Sequence, residues 1–214
     1  MARMKISFTP SIRRLPSYIH IIRNAQTNGL FYISGTVIAQ ELNLEPIQVR
    51  KDLAITGIIG KPKKGYPVDA LLAAIERYLD WDKAHDAIVV GAGNLGSALM
   101  GYPEFKVHGL HIVAAFDTDP DKVGKKVHGV PVFNVSALES TIQDANVEYA
   151  ILTVPSSNAQ GMADVLVKNG IRAIWNFTNT KLKVPDEIVV QREDLSSGYA
   201  LLSVMLQTSK GRPA

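Results

Sequence analysis

Three spaced glycines behind a short apolar run constrain the fold more than any other feature. Ala87-Ile88-Val89-Val90 leads directly into Gly91-Ala92-Gly93-Asn94-Leu95-Gly96. A G-x-G-x-x-G pattern alone is weak, but between a strand and a helix it marks a dinucleotide-binding turn. Gly91 permits the tight turn, Gly93 lets the backbone approach a pyrophosphate, and Gly96 lets helix and strand pack closely. The helix start at Asn94-Leu95 offers N–H groups that have no intrahelical acceptor and suit phosphate oxygens. Residues 91–96, Ala92 included, are therefore candidate cofactor-binding positions.

The sequence beyond this turn alternates strands and helices. Residues 112–116, 149–154 and 171–175 are further short apolar runs, as expected for parallel strands buried on both faces. That order implies an α/β, doubly wound parallel sheet. Asp117 ends the second strand, twenty-one residues after Gly96. A carboxylate there binds the adenine ribose hydroxyls of NAD(H) and disfavours the 2′-phosphate of NADP(H). Asp117-Thr118-Asp119-Pro120 is also good turn chemistry, and CoA or another nucleotide fits the same kind of cleft. Thr153-Val154-Pro155 and Asn176-Phe177 close two more strands on the ligand side. They either meet the cofactor near its nicotinamide half or serve as ordinary strand-ending turns, and Phe177 reads as packing.

The first eighty residues read as helices. Thr9-Pro10 suits an N-cap and first helical position, with apolar residues following at Ile12, Leu15, Ile19 and Ile22. Pro16 predicts a kink or restart, and Asn28-Gly29 an end. Ser34 caps a second helix carrying Val37, Ile38 and Leu42. Asn43-Leu44-Glu45-Pro46 is a tight connection into a third helix that runs to residues 56–57. This is the helix-turn-helix plan. Gln48, Arg50 and Lys51 stand near the start of the third helix, with Val49 and Leu53 facing inward. Gln and Arg suit bidentate contacts to adenine and guanine in the major groove. Lys61, Lys63 and Lys64 lie in a Pro/Gly-rich turn that predicts a wing along phosphates or a minor groove. A further helix spans residues 68–79. Residues 1–66 carry ten Lys or Arg against three Asp or Glu, a net +7, while the rest of the chain carries −4. A basic front on an acidic body points to a polyanion partner for the first part only.

Other function classes lose support. There are no cysteines, so thiolate catalysis, disulfides and cysteine-held metals are excluded. No apolar run approaches the roughly 20 residues that span a bilayer, and residues 1–10 lack a signal-peptide core. A cytoplasmic location without a membrane partner is expected. A nicotinamide-dependent oxidoreductase needs a proton donor in the cleft. None of His20, His85, His108, His111 and His128 follows a ligand-side strand end, and no residues remain for a substrate domain. No catalytic residue and no metal site is therefore assigned. A CoA-binding module would need no winged helix. The last segment, residues 195–207, is a helix with an unusually large apolar share.

With both halves placed, the chain resembles the Rex family of bacterial redox-sensing transcriptional repressors. The resemblance rests on Arg14-Leu15-Pro16-Ser17-Tyr18, Gln48-Val49-Arg50-Lys51-Asp52-Leu53, Gly65-Tyr66 and the glycine turn. Tyr102-Pro103, Phe116-Asp117-Thr118-Asp119-Pro120, Thr153-Val154-Pro155 and Asn176-Phe177 complete it. It implies a winged-helix domain at 1–80, an NAD(H)-binding Rossmann domain at 81–192, and a domain-swapped C-terminal helix and tail at 193–214. It further implies a homodimer on palindromic operator DNA of fermentation, respiration or NAD+-regeneration genes. NADH binding would release the DNA, while NAD+ would bind more weakly and leave the protein on it. Asp194 matches the family's acidic residue near the nicotinamide, and Tyr102 the tyrosine that pairs with it. Three positions depart from the family pattern. Ala54-Ile55-Thr56-Gly57 replaces Ser-Tyr-Phe-Gly, Lys63-Lys64-Gly65 replaces a wing arginine before glycine, and His20 stands where a first-helix arginine answers the partner subunit's Asp194.

Overall fold

In the computed structural model, which describes residues 8–210, the chain divides into two units between Ala84 and His85. The first holds α1 (Thr9–Thr27), β1 (Tyr32–Ile33), α2 (Gly35–Glu41), α3 (Pro46–Ala54), β2 (Tyr66–Pro67) and α4 (Val68–Tyr78). Thr9 is already helical, and the N-cap is Phe8 in the left-handed region. α1 also runs unbroken through Pro16. Packing decides this: Leu15, Tyr18, Ile19 and Ile22 are fully buried. At about 1.5–3 kcal/mol each, such residues outweigh a proline penalty of about 3 kcal/mol. Asn28 caps the helix and Gly29 follows at φ +72°.

The Ser34 hydroxyl accepts the Val37 N–H at 3.2 Å and starts α2. Asn43, at φ +52°, and a Leu44 N–H bond to the Ala39 carbonyl at 2.8 Å close the turn into α3. β1 and β2 pair antiparallel, and a Lys61–Gly65 bridge closes the hairpin tip between α3 and β2, forming the wing. A side chain at Gly65 would run into the Ile33 carbonyl, and its φ is +88°. The core joins Leu15, Ile19 and Ile22 of α1 to Ile38, Val49, Leu53, Leu71 and Ile75.

The second unit runs β3 (His85–Val90), α5 (Asn94–Met100), α6 (Pro103–Val107), β4 (Leu110–Asp117), β5 (Lys126–Val127) and β6 (Val130–Asn134). It continues through α7 (Leu138–Ala145), β7 (Tyr149–Leu152), α8 (Ser156–Lys168), β8 (Ala173–Asn176), β9 (Val189–Arg192) and α9 (Leu195–Ser209). The sheet order is β5-β6-β4-β3-β7-β8-β9, parallel except for the β5–β6 hairpin. Without β5 this is the dinucleotide-binding order, which reverses between β3 and β7. Alternate residues face opposite sides. Ile88, Val90, Ala114, Phe116, Ala150 and Leu152 pack on one face, and Val89, Ala115 and Ile151 on the other. Both faces are covered, which is why these strands read as unbroken apolar runs.

Two parallel strands escape the sequence pattern. β6 contains Pro131, a residue that argues against a strand interior. It is tolerated where Pro131 faces the short β5 hairpin strand. His128 at φ +50° and Gly129 at φ +86° form that hairpin's turn, and the His128 ring packs on Gly101. β9 is a largely exposed edge strand with polar residues. Among the described residues, no helix is long and apolar enough to cross a membrane, and no His/Cys/Asp/Glu group suits a metal ion.

Candidate functional site

Five candidate positions of the second unit follow the carboxyl ends of parallel strands. Gly91 follows β3, Asp117 ends β4, Thr153 follows β7, Asn176 ends β8, and Asp194 comes two residues after β9. In an open α/β sheet this edge holds ligands, at the point where strand order reverses. The glycine turn is built into that point. Its Gly91 N–H donates to the Phe116 carbonyl at 2.8 Å, and the Thr153 N–H donates to the Val90 carbonyl at 2.9 Å. The Thr153 hydroxyl donates to the Gly91 carbonyl at 2.7 Å. Each glycine has its own reason. Gly91 sits at φ +101°, with Thr153 backbone 2.9 Å from where a Cβ would be. A Cβ on Gly96 would collide with the Gly91 carbonyl, so α5 lies directly on the turn. A Cβ on Gly93 would meet no protein atom within 4 Å, so this backbone faces open space. That combination fits a pyrophosphate at Gly93, beside the first-turn amides of Asn94 and Leu95.

Asp117 reaches across the same turn. Its Oδ2 accepts the Ala92 N–H at 2.8 Å, and its Oδ1 accepts the Asp119 N–H at 3.0 Å. Lys122 lies 3.4 Å from it. The carboxylate thus organises both its own loop and the glycine turn. Val154 is half-buried against the sheet, and Pro155 precedes α8. Asn176 is fully buried. Its Oδ1 accepts from the Thr178 N–H and hydroxyl, and its Nδ2 donates to the Thr180 carbonyl at 2.9 Å. The side chain holds the following loop in shape. Phe177 packs, as expected, against Trp175 at 5.1 Å. That contact continues a row of rings through Phe105 to the exposed Tyr102. Asp194 caps α9, its Oδ1 accepting the Ser196 N–H at 2.9 Å.

In the first unit, Val49 and Leu53 point inward, while Arg50 and Lys51 are exposed on α3. The Arg50 stem rests against Gly35, whose Cβ position lies 3.6 Å from the arginine Cγ. Gln48 is half-buried and donates through Nε2 to Asp52 at 2.8 Å. Lys61, Lys63 and Lys64 are exposed on the wing. The Lys61 ammonium donates to the Tyr32 hydroxyl at 3.1 Å, and Lys61 and Lys64 stand 5.5 and 5.7 Å from the Tyr32 ring centre. The hydrogen bond and charge of Lys61 pull the Tyr32 hydroxyl below its ordinary pKa. His20 is exposed on α1.

Asp52, Arg14 and Tyr18 carry no site role in the sequence pattern. Asp52 is buried, and its Oδ2 accepts from Arg14 Nε and the Tyr18 hydroxyl, both at 2.6 Å. The available signal was spacing: Asp52 adjoins Leu53 on the inward face of α3, and Arg14 and Tyr18 share one face of α1 at i and i+4.

Comparison with known proteins covers both units. The family described as "CoA binding domain" matches residues 82–180, and "Putative DNA-binding protein N-terminus" matches residues 5–54. The chain is 60% identical to the redox-sensing transcriptional repressor Rex of Treponema denticola, over 98% of this chain and 100% of that protein. Against the repressor Rex of Bacteroides fragilis it is 40% identical, over 92% and 88%. The crystal structure of RSP in complex with β-NAD+ and operator DNA aligns at TM-score 0.88 and 34% identity, covering 97% of this chain and 95% of that one. RSP in complex with β-NADH aligns at TM-score 0.85 and 33% identity, covering 97% of both chains.

Proposed function

We propose, from the premise that this chain belongs to the Rex family of redox-sensing transcriptional repressors, a division of labour between its two units. The protein is a DNA-binding repressor that senses NAD(H), and not an enzyme. In the second unit, residues 91–96 hold the pyrophosphate and Asp117 the adenine ribose. Thr153, Val154, Pro155 and Asn176 form the floor toward the nicotinamide. In the first unit, Gln48, Arg50 and Lys51 read bases, while Lys61, Lys63 and Lys64 follow phosphates. One observation carries the reading: a full-length relative at 60% identity shares both units. The open space at Gly93 supports it within the second unit, and the exposure of Arg50 and Lys51 within the first.

The dinucleotide, when bound, supplies the signal as a nicotinamide ring that is charged when oxidised and neutral when reduced. A ligand shifts a conformational equilibrium only through its differential affinity for the two states. Asp194, carried beside the segment that swaps between subunits, responds to that difference in charge, with Tyr102 and the partner subunit's His20 as its alternative partners. α9 swaps into a second copy to give a homodimer on palindromic operators of fermentation, respiration or NAD+-regeneration genes. A cytoplasmic location follows from the DNA partner. The test is fluorescence anisotropy on a labelled operator duplex with NAD+, NADH, NADPH or CoA added. NADH alone should release the DNA, and Asp117→Ala should weaken that response about 10- to 100-fold, as for a hydrogen bond to a charged group. Release by CoA and not NADH would favour the CoA-binding description of residues 82–180 instead.

A further inference from the structure

α3 buries a carboxylate one turn behind its proposed base-reading residue. Asp52 accepts hydrogen bonds at both of its oxygens. Arg14 Nε and the Tyr18 hydroxyl reach its Oδ2 at 2.6 Å, and Arg14 Nη2 and Gln48 Nε2 reach its Oδ1 at 2.8 Å. Burial pushes this carboxyl up, but hydrogen bonds from Arg14, Tyr18, Ser11 and Gln48 outweigh it and bring it down to about 2. Asp52 is therefore ionised at neutral pH and can only accept.

The consequence falls on Gln48. A glutamine amide has an oxygen that accepts and a nitrogen that donates, and a half-turn about its last torsion exchanges them. Beside an ionised carboxylate that half-turn would set oxygen against oxygen. Nε2 stays on Asp52, and Oε1 is directed away from it. In the major groove, adenine and cytosine present an exocyclic amine, whereas guanine and thymine present acceptors at the corresponding place. We propose that Asp52 is a specificity-positioning residue: by fixing the Gln48 amide, it makes α3 select adenine or cytosine over guanine or thymine at one base of each half-site.

This rests on the reading of α3 as the DNA-contacting helix, and the test separates the two. Duplexes are selected from a random library by the full-length protein and sequenced, for the parent, Gln48→Ala and Asp52→Asn. One position per half-site should favour A and C by about 5- to 100-fold, the range for a good base contact. Gln48→Ala should flatten that position alone. In Asp52→Asn one carboxylate oxygen becomes an NH2, Gln48 can turn its oxygen inward, and the same position should shift toward G and T by at least about five-fold, with other positions unchanged. An unaltered A/C preference in Asp52→Asn with uniformly weaker binding would overturn the proposal and reduce Asp52 to a packing role. No enrichment by the parent would overturn the assignment of α3 as well. A second arm leaves the protein unaltered. Replacing the selected adenine by purine, which lacks the amine, should weaken binding at least about five-fold. Equal binding would overturn the proposal whether or not the variant folds.

Discussion

Helices α3 and α9 carry the surfaces proposed for DNA and for a second copy, yet they sort polar and apolar residues in opposite ways. α3 turns Val49 and Leu53 inward, closes its one buried charge with Arg14, Tyr18 and Gln48, and leaves Arg50 and Lys51 outside. Such a surface is stable in water and ready for a polyanion. α9 buries none of its residues, and Leu195 and Tyr199 are 70% and 74% exposed. Leu201, Leu202, Val204, Met205 and Leu206 are exposed with them. Burying these seven side chains is worth on the order of 10 kcal/mol, comparable with the roughly 4–15 kcal/mol lost when two chains associate. α3 is thus finished by its own chain, whereas α9 leaves its apolar side chains exposed, as the proposed swap into a second copy requires.

The comparison breaks most readily at α9. Leu202→Asp combined with Met205→Asp should lower dimer affinity by several kcal/mol, roughly 1,000-fold or more, and yield monomers in sedimentation velocity. A double variant that still sediments as a dimer would remove α9 from the interface. At α3 the expected effect is smaller. Arg50→Ala should cost about 1–3 kcal/mol for each lost base contact, enough in a dimer to abolish specific binding in a gel shift. The circular dichroism spectrum should not change, because Arg50 is exposed.

Acid sharpens the contrast inside the first unit. Asp52 falls from 3.8 to about 2 on folding. A depressed carboxyl stabilises the fold fully above its unfolded pKa, and that contribution disappears as pH drops through the folded one. The window is therefore pH 4 down to about 2, and the contribution lost there is about 2 kcal/mol. Thermal melting should show the parent losing more stability across that window than Asp52→Asn does. Equal losses would mean that the carboxylate is not the acid-sensitive group. The smallest effect belongs to the wing. Lys63→Ala should weaken binding to all duplexes alike, by less than about 1 kcal/mol, and lower the salt slope by about one per wing. A change in sequence preference instead would give Lys63 a base-reading role.

Most of the architecture was legible wherever a local rule coincided with the tertiary outcome. Gly91, Gly93 and Gly96 were assigned three different tasks, and the structure shows a strained turn, open space and a helix pressed against the turn at those positions. The reading failed where packing overrode a local signal. Pro16 lies inside one continuous helix, with no restart, because its neighbours are buried, and Pro131 lies in a strand at a position facing only a hairpin. Asn176 stands at the strand end where it was placed, but its amide is committed to Thr178 and Thr180, a commitment no spacing discloses.

The sequence by itself determined the elements and their chemistry: the glycine turn, the helix-turn-helix with its basic wing, and an apolar last helix. These follow from backbone preferences and hydrophobic period, which act over a few residues. Only the tertiary structure decided that Asp52 is a buried hub and not another surface charge. A carboxylate's solvation depends on what crosses it in space, and here Arg14 and Tyr18 arrive from 38 and 34 residues away. The same holds for one edge of the sheet, which Gly91, Asp117, Thr153, Asn176 and Asp194 line because five parallel strands end on that side, although they are far apart in sequence.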